Sequence, residues 1–240
     1  MLKISKKKRI VQYMNHINHI FFDLDHTLWD FESNSDIAFM TIFEKYKVNL
    51  DLQKFLSYYR GINQRYWKMY REEKISKSDL RYGRLKDTFD FLNFKTSDEL
   101  IDKLAHHYIE VLPNNNILFE GTHELLAHLQ PNYRLHIITN GFNEVQYKKI
   151  ERSGLAPYFE EVITSEDAGV KKPNPGIFEF ALEKTKASPK ESLMIGDNWE
   201  ADIMGAIDFG LDAIYFNSEK KGVGESVKSV VHLLEIKQYL

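Results

Sequence analysis

The chain contains no cysteine among its 240 residues. Disulfides, thiolate-held zinc and cysteine nucleophiles are thereby excluded, and the expected location is a reducing one, the cytoplasm. A long hydrophobic run is also missing, so no membrane partner is expected. Nor is there a surplus of positive charge. The formal net charge of -3 argues against polymeric nucleic acid, which is bound by clustered Lys and Arg that displace counterions from phosphates. Internal repeats are absent, and the one low-complexity stretch is the short Asn114-Asn115-Asn116 run. What remains is an ordinary globular composition, 43% hydrophobic and 28% charged, with length for one large domain or two modest ones.

The amino terminus carries Lys6-Lys7-Lys8-Arg9, which looks like the charged region of a secretion signal. The segment that follows is broken by Gln12, Asn15, His16, Asn18 and His19, and no small-residue cleavage site succeeds it. Residues 1–15 read as a disordered basic tail, with Met14 as an alternative start.

Residues 17–22 form a hydrophobic run that reads as a buried strand. A helical rhythm follows. Phe39, Ile42, Phe43 and Tyr46 share one face, as do Leu52, Phe55, Leu56 and Tyr59, with Ile62, Tyr66, Met69 and Tyr70 continuing that helix. Leu85, Phe89 and Leu92 mark a third helix. Leu100, Leu104, Tyr108 and Val111 mark a fourth, opened by a capping box from Thr96 to Glu99. From Gly121 helices and strands alternate: helices at 122–130, 143–153, 178–186 and 201–209, strands at 135–139, 162–163, 193–195 and 213–216, and a closing helix at 231–240. Alternation of this kind implies a parallel sheet covered on both faces. The expected fold is therefore α/β, a Rossmann-like doubly wound parallel core over residues 16–32 and 114–240, with an α-helical cap inserted at 33–113.

Ligands of such sheets bind at the carboxyl ends of the strands, and four polar groups fall there. Asp23 and Asp25 follow the first strand, where one carboxylate can attack while its neighbour moves a proton. Two solvated acids at a strand end would look the same. Thr139-Asn140-Gly141 follows the second strand, as an anion cradle or as a plain helix-entry turn. Lys171-Lys172-Pro173-Asn174-Pro175 holds a lysine on a proline-stiffened loop, or forms a basic turn. Gly196-Asp197 follows a later strand with Asp202 close behind, Asp202 serving the metal or only the helix dipole. Taken together, four carboxylates in one crevice repel unless a cation sits among them. Oxygen-only ligands point to a hard ion, and phosphate chemistry favours Mg2+. Acid cluster, fixed lysine and anion cradle make a phosphoryl-transfer site.

The order Asp23-x-Asp25-x-Thr27, Thr139-Asn140-Gly141, Lys172-Pro173 and Gly196-Asp197 with Asp202 resembles the haloacid dehalogenase superfamily of aspartate-nucleophile phosphatases, from about residue 17 to the end. Ile137 to Phe142 with Gln146, Ser153-Gly154-Leu155, Tyr158-Phe159 and Lys172 to Phe178 look like its noncanonical pyrimidine 5'-nucleotidase branch. N-acylneuraminate 9-phosphatases and other small-metabolite phosphatases share much of this. The resemblance implies Asp23 as nucleophile and Asp25 as acid and then base. It implies Mg2+ on the Asp23 carboxylate, the Asp25 carbonyl and Asp197, with Asp202 nearby. Thr139, Asn140, Gly141 and Lys172 would serve the phosphate, and Lys171 is passed over because the matching lysine directly precedes the proline. It implies as partner a small phosphorylated metabolite, a nucleoside monophosphate by the closer match.

The cap is expected to choose the substrate, through Phe31, Asn63, Trp67 and Arg84, with Tyr70 and Trp29 also worth attention. Aromatics at helical spacing serve equally as cap core. His26 reads as a solvated turn residue. A dehalogenase would need neither magnesium nor Asp25. A sugar-phosphate mutase would use the same residues, and a phospholigand-binding module would have lost one of them. Sugar phosphates and phosphoglycolate stand beside nucleotides as candidate substrates.

Overall fold

The computed structural model describes residues 14–220, 222 and 227–240. Most of the basic tail lies outside the described residues. Met14, which the sequence reading leaves in that tail, is buried and donates its N–H to the Tyr239 carbonyl at 2.9 Å.

Six parallel strands form one sheet: β1 His19–Phe22, β2 Arg134–Thr139, β3 Glu161–Thr164, β4 Ser192–Gly196, β5 Asp212–Phe216 and β6 Lys228–Val230, in the order β3-β2-β1-β4-β5-β6. Phe22 lies opposite Ile137 on one side and Ile195 on the other. All four β1 residues are buried: Ile20, Phe21 and Phe22 fill the two covered faces of the sheet, and the His19 ring meets that of His136, Nδ1 to Nε2 at 3.1 Å. Alternate side chains divide the core. Ile20, Phe22, Ile137 and Ile195 pack with Leu125, Leu126, Val145 and Ile150, and Phe21, Ile138 and Met194 pack with Ile177, Phe178 and Ala206. The chain winds outward in both directions from β1, so the switch point lies between β1 and β4. A crevice opens there at the carboxyl ends of the strands.

Between β1 and β2 the chain inserts α1 Phe31–Tyr46, α2 Leu52–Arg71, α3 Lys77–Phe91 and α4 Asp98–Val111. Each begins on a side-chain oxygen that accepts a backbone N–H of the first turn: Asp30, Asp51, Ser76 and Ser97. The helices enclose an aromatic centre in which the Phe39 ring lies 4.5 Å from Tyr59, 4.6 Å from Tyr108 and 5.0 Å from Phe55. Burying each such ring stabilises the cap by roughly 1.5–3 kcal/mol. Two crossing segments tie it to the core. Asp30 N–H donates to the Ile117 carbonyl at 3.1 Å and Phe119 N–H to the Leu28 carbonyl at 3.0 Å. The buried Asn34 binds Ile117 from both ends of its amide, at 2.8 and 2.9 Å.

After β2 come α6 Asn143–Arg152 and, beyond β3, α7 Ser165–Ala168 and α8 Pro175–Thr185; α5 Thr122–Leu129 precedes β2, and α9 Gly205–Phe209 precedes β5. The short α7 is not among the helices expected from sequence, and other details differ too. The fourth cap helix is capped by Ser97, not Thr96. The helix expected at 201–209 opens as a wide π turn, Trp199–Met204. β6 was not foreseen, because three residues at a sheet edge carry too little alternation to register. The closing helix is a 3-10 segment, Leu233–Gln238. No helix among the described residues is long and apolar enough to cross a membrane.

Candidate active site

Asp23 leaves β1 with its N–H bonded to the Ile195 carbonyl at 2.9 Å, which fixes the carboxylate beside the end of β4. Lys172 comes from the loop before α8 and is 1% exposed. Its Nζ lies 2.6 Å from Asp23 Oδ1, 2.7 Å from Asp202 Oδ1 and 2.6 Å from the Ile138 carbonyl, so all three ammonium protons are used. Burial lowers the lysine's affinity for its proton, but the Asp202 and Asp23 charges outweigh it and the group stays charged. Asp202 is also held through Oδ2, which accepts the Asn198 N–H at 2.9 Å. Gly196 makes this possible: a Cβ there would stand 2.3 Å from Asp202 Oδ2.

Asp197 lies on the far side of the acid group and accepts from the Thr27 hydroxyl at 3.3 Å. Oxygens of Asp23, Asp197 and Asp202 all fall within 4.8 Å of one another. Burial, then the Asp202 charge, lifts the Asp197 carboxyl to about 8. Burial, with Asp202 and Asp197 adding to it and Lys172 opposing, pushes Asp23 well above the carboxylate range. Three carboxylates against one ammonium leave negative charge uncompensated, and the donors are all oxygen. This set fits a hard divalent cation.

Asp25 faces the same crevice from the other side. Lys149 Nζ lies 2.5 Å from its Oδ1, and Gln146 Nε2 donates to its Oδ2 at 3.0 Å. The second Gln146 proton goes to Thr139 Oγ1 at 2.7 Å, which also accepts the Gly141 N–H at 3.1 Å. With both lone pairs filled, the Thr139 hydroxyl can only donate, and Thr139 lines the cavity. The sequence reading gave no role to Gln146 and missed Lys149. A helix lysine is normally solvated, and nothing local marks one that is 1% exposed.

Asn140, expected at the phosphate, spends its side chain elsewhere. Its amide donates to the Lys172 carbonyl at 2.9 Å and accepts the Lys172 N–H at 2.8 Å, so it clamps the lysine loop. Gly141 lines the cavity. Lys171 points away, toward the Tyr70 ring at 4.5 Å and Glu73 at 3.8 Å.

The crevice opens into a cavity of about 880 Å³ roofed by α2, with Phe31, Asn63, Trp67, Lys68 and Arg71 among its walls. Arg84, expected among the substrate-facing cap residues, lies elsewhere. It does not line the cavity; its guanidinium, 2% exposed, donates to Asn63 Oδ1 at 2.9 Å and lies over the Tyr59 and Tyr108 rings. An inward helix position with aromatic faces to stack on explains its placement. Tyr70 packs on Phe142. Nor is His26 a freely solvated turn residue: half-buried at φ 64°, it sets its ring 4.9 Å from Phe31, and burial lowers its pKa.

The family model for haloacid dehalogenase-like hydrolases matches residues 20–216. The chain belongs to the haloacid dehalogenase-like hydrolases. The pyrimidine 5'-nucleotidase YjjG of Escherichia coli is 34% identical over 226 residues, covering 92% of this chain and 96% of the relative. The pyrimidine 5'-nucleotidase PynA of Streptococcus pneumoniae is 34% identical over 200 residues, covering 82% and 83%. The solved structure of the HAD-hydrolase YfnB of Bacillus subtilis, bound to magnesium and described as revealing interdomain movement, superposes with a TM-score of 0.83 at 29% identity, covering 92% and 96%.

Proposed function

We propose that this hydrolase is a magnesium-dependent nucleotidase that removes phosphate from pyrimidine nucleoside 5'-monophosphates through an aspartyl-phosphate. The broader class, phosphoric monoester hydrolysis, is that of its relatives. The observation that carries the reading is Lys172, buried between Asp23 and Asp202 with Asp197 beside them. A buried ammonium beside an anionic nucleophile lowers the cost of bringing in a dianionic phosphate.

In this reading Asp23 Oδ attacks phosphorus, the ester bond to the leaving oxygen breaks, and Asp25 supplies that oxygen with a proton. Asp25 then takes a proton from water, whose oxygen attacks the phosphorus and frees Asp23. The Thr139 hydroxyl and the loop at Gly141 hold phosphate oxygens, and Lys172, its three protons engaged, acts on the phosphate through its charge. Asp23, Asp197 and the Asp25 carbonyl would hold magnesium, with Asp202 behind Lys172; the ion would neutralise phosphate charge. Arg65, Lys68 and Arg71 line the cavity together with Asp30, Glu32, Glu200 and Glu219, so its wall offers cations for a phosphate ester among acidic groups. Phe31 and Trp67 offer faces for a base, a contact worth roughly 1–3 kcal/mol.

The test is phosphate release across nucleoside monophosphates, sugar phosphates, phosphoglycolate and N-acylneuraminate 9-phosphate, with and without magnesium. Pyrimidine nucleotides should lead a broad range, and chelation should stop turnover. A preference beyond about tenfold for any other ester would overturn the nucleotide assignment, and full activity after exhaustive chelation would remove the metal.

A further inference from the structure

We propose that Gln146 and Lys149, one turn apart on α6, are positioning residues that hold the Asp25 carboxyl in the orientation from which it protonates the leaving oxygen. The inference rests on the phosphatase reading above. Each Asp25 oxygen accepts one bond, Oδ1 from Lys149 at 2.5 Å and Oδ2 from Gln146 at 3.0 Å. Two donors on two oxygens fix both the rotation of the carboxyl plane and its tilt, and leave a lone pair on each oxygen for the transferred proton. The Asp25 side chain keeps 22% of its surface exposed while that of Lys149 keeps 2%, so the acid meets the cavity and its anchor does not.

The anchors are themselves fixed. The Lys149 ammonium sits 4.1 Å from the Trp29 ring centroid and 5.3 Å from that of Phe31, faces that attract a cation shielded from water. Gln146 is 1% exposed, and its remaining N–H goes to Thr139 Oγ1. Gly141 leaves room for it: a Cβ there would stand 2.3 Å from Gln146 Cδ. One amide therefore couples the acid to the hydroxyl that faces the phosphate, and sets the distance between proton donor and phosphoryl group. Proton transfer by a placed acid contributes about 10²–10⁴-fold, and a misplacement near 1 Å can cost about 10²-fold.

Gln146→Leu and Lys149→Met keep shape and remove the donors, and a matched melting temperature identifies variants that fold. The measurement is kcat/KM, which reports phosphoryl transfer to Asp23, for two esters: a nucleoside 5'-monophosphate, whose alkoxide leaves poorly, and p-nitrophenyl phosphate, whose phenolate leaves without help. Folded variants should lose about ten- to a hundredfold on the nucleotide and less than about threefold on the aryl ester. Equal losses on both esters, or no loss, in either folded variant would overturn the proposal. Should both variants fail to fold, Gln146→Glu, which puts a carboxylate against Asp25 in the same space, must show the same split. The wild type separates the two claims: no phosphate from either ester defeats the phosphatase reading and this inference with it, whereas wild-type turnover with equal variant losses defeats the inference alone.

Discussion

Lys172 and Lys77 each bridge two carboxylates, one in the floor of the cavity and the other between cap and core. Lys172, in the floor, has a side chain 1% exposed and lies 2.6 and 2.7 Å from Asp23 and Asp202. Lys77, in the cap, is 31% exposed and lies 3.0 and 2.7 Å from Glu144 and Glu166 of the core. The distances are alike and the surroundings are not. Buried charges are costly to separate and stay where they are, whereas pairs in contact with water exchange partners at little cost. Arg81 adds another bond to Glu144, and the Phe142 ring sits 4.4 and 4.5 Å from the Lys77 and Arg81 cations and 5.3 Å from Trp67. The floor is built to hold chemistry still. The cap seam is built from ion pairs that water reaches.

The sharpest way to break this comparison is Asp23→Asn. It should lower turnover at least about a thousandfold with unchanged circular dichroism; substantial activity in a deamidation-free sample would end the nucleophile assignment. Next is Lys172→Met, which leaves two buried carboxylates facing each other. We expect destabilisation of about 3–5 kcal/mol in denaturant titration, against under about 1 kcal/mol for Lys77→Ala. Equal costs would erase the distinction between floor and seam.

Acidity sharpens it further. The folded Asp197 carboxyl, near 8, lies above its ordinary 3.8, so in metal-free protein its contribution to stability is full below about 4 and is lost as pH rises through 8. A cation among the acids displaces that proton. The melting-temperature gain from saturating magnesium should therefore be larger at pH 8 than at pH 6; the reverse order would place the metal elsewhere. The smallest effect belongs to the cap wall. Trp67→Ala or Phe31→Ala should raise KM for a nucleotide about ten- to a hundredfold, and less for p-nitrophenyl phosphate, while equal changes would mean packing alone.

The floor was readable because Asp23, Thr139 and Asp197 directly follow or end apolar strands, and Lys172 stands on a loop marked by two prolines. Asp23, Thr139, Lys172 and Asp197 all line the cavity. What was not readable depends on direction. Lys149 sits in a helix whose surface lysines look the same in sequence, and its burial comes from Trp29 and Phe31, more than a hundred residues earlier. Arg84 turned inward for a comparable reason, toward Tyr59 and Tyr108. Asn140 stands between Thr139 and Gly141 in the expected anion cradle, yet its amide matches the Lys172 backbone in both directions.

The central claim is that Asp23 carries the phosphoryl group. The direct measurement is acid quenching during turnover of a pyrimidine nucleoside 5'-monophosphate with magnesium, followed by mass spectrometry of the peptides. The account predicts a phosphoryl adduct on Asp23 that is absent from Asp23→Asn and that accumulates in Asp25→Asn turning over p-nitrophenyl phosphate, whose phenolate leaves without an acid so that only the second step is slowed. Turnover with the adduct on another residue, or the same adduct in Asp23→Asn, would contradict it.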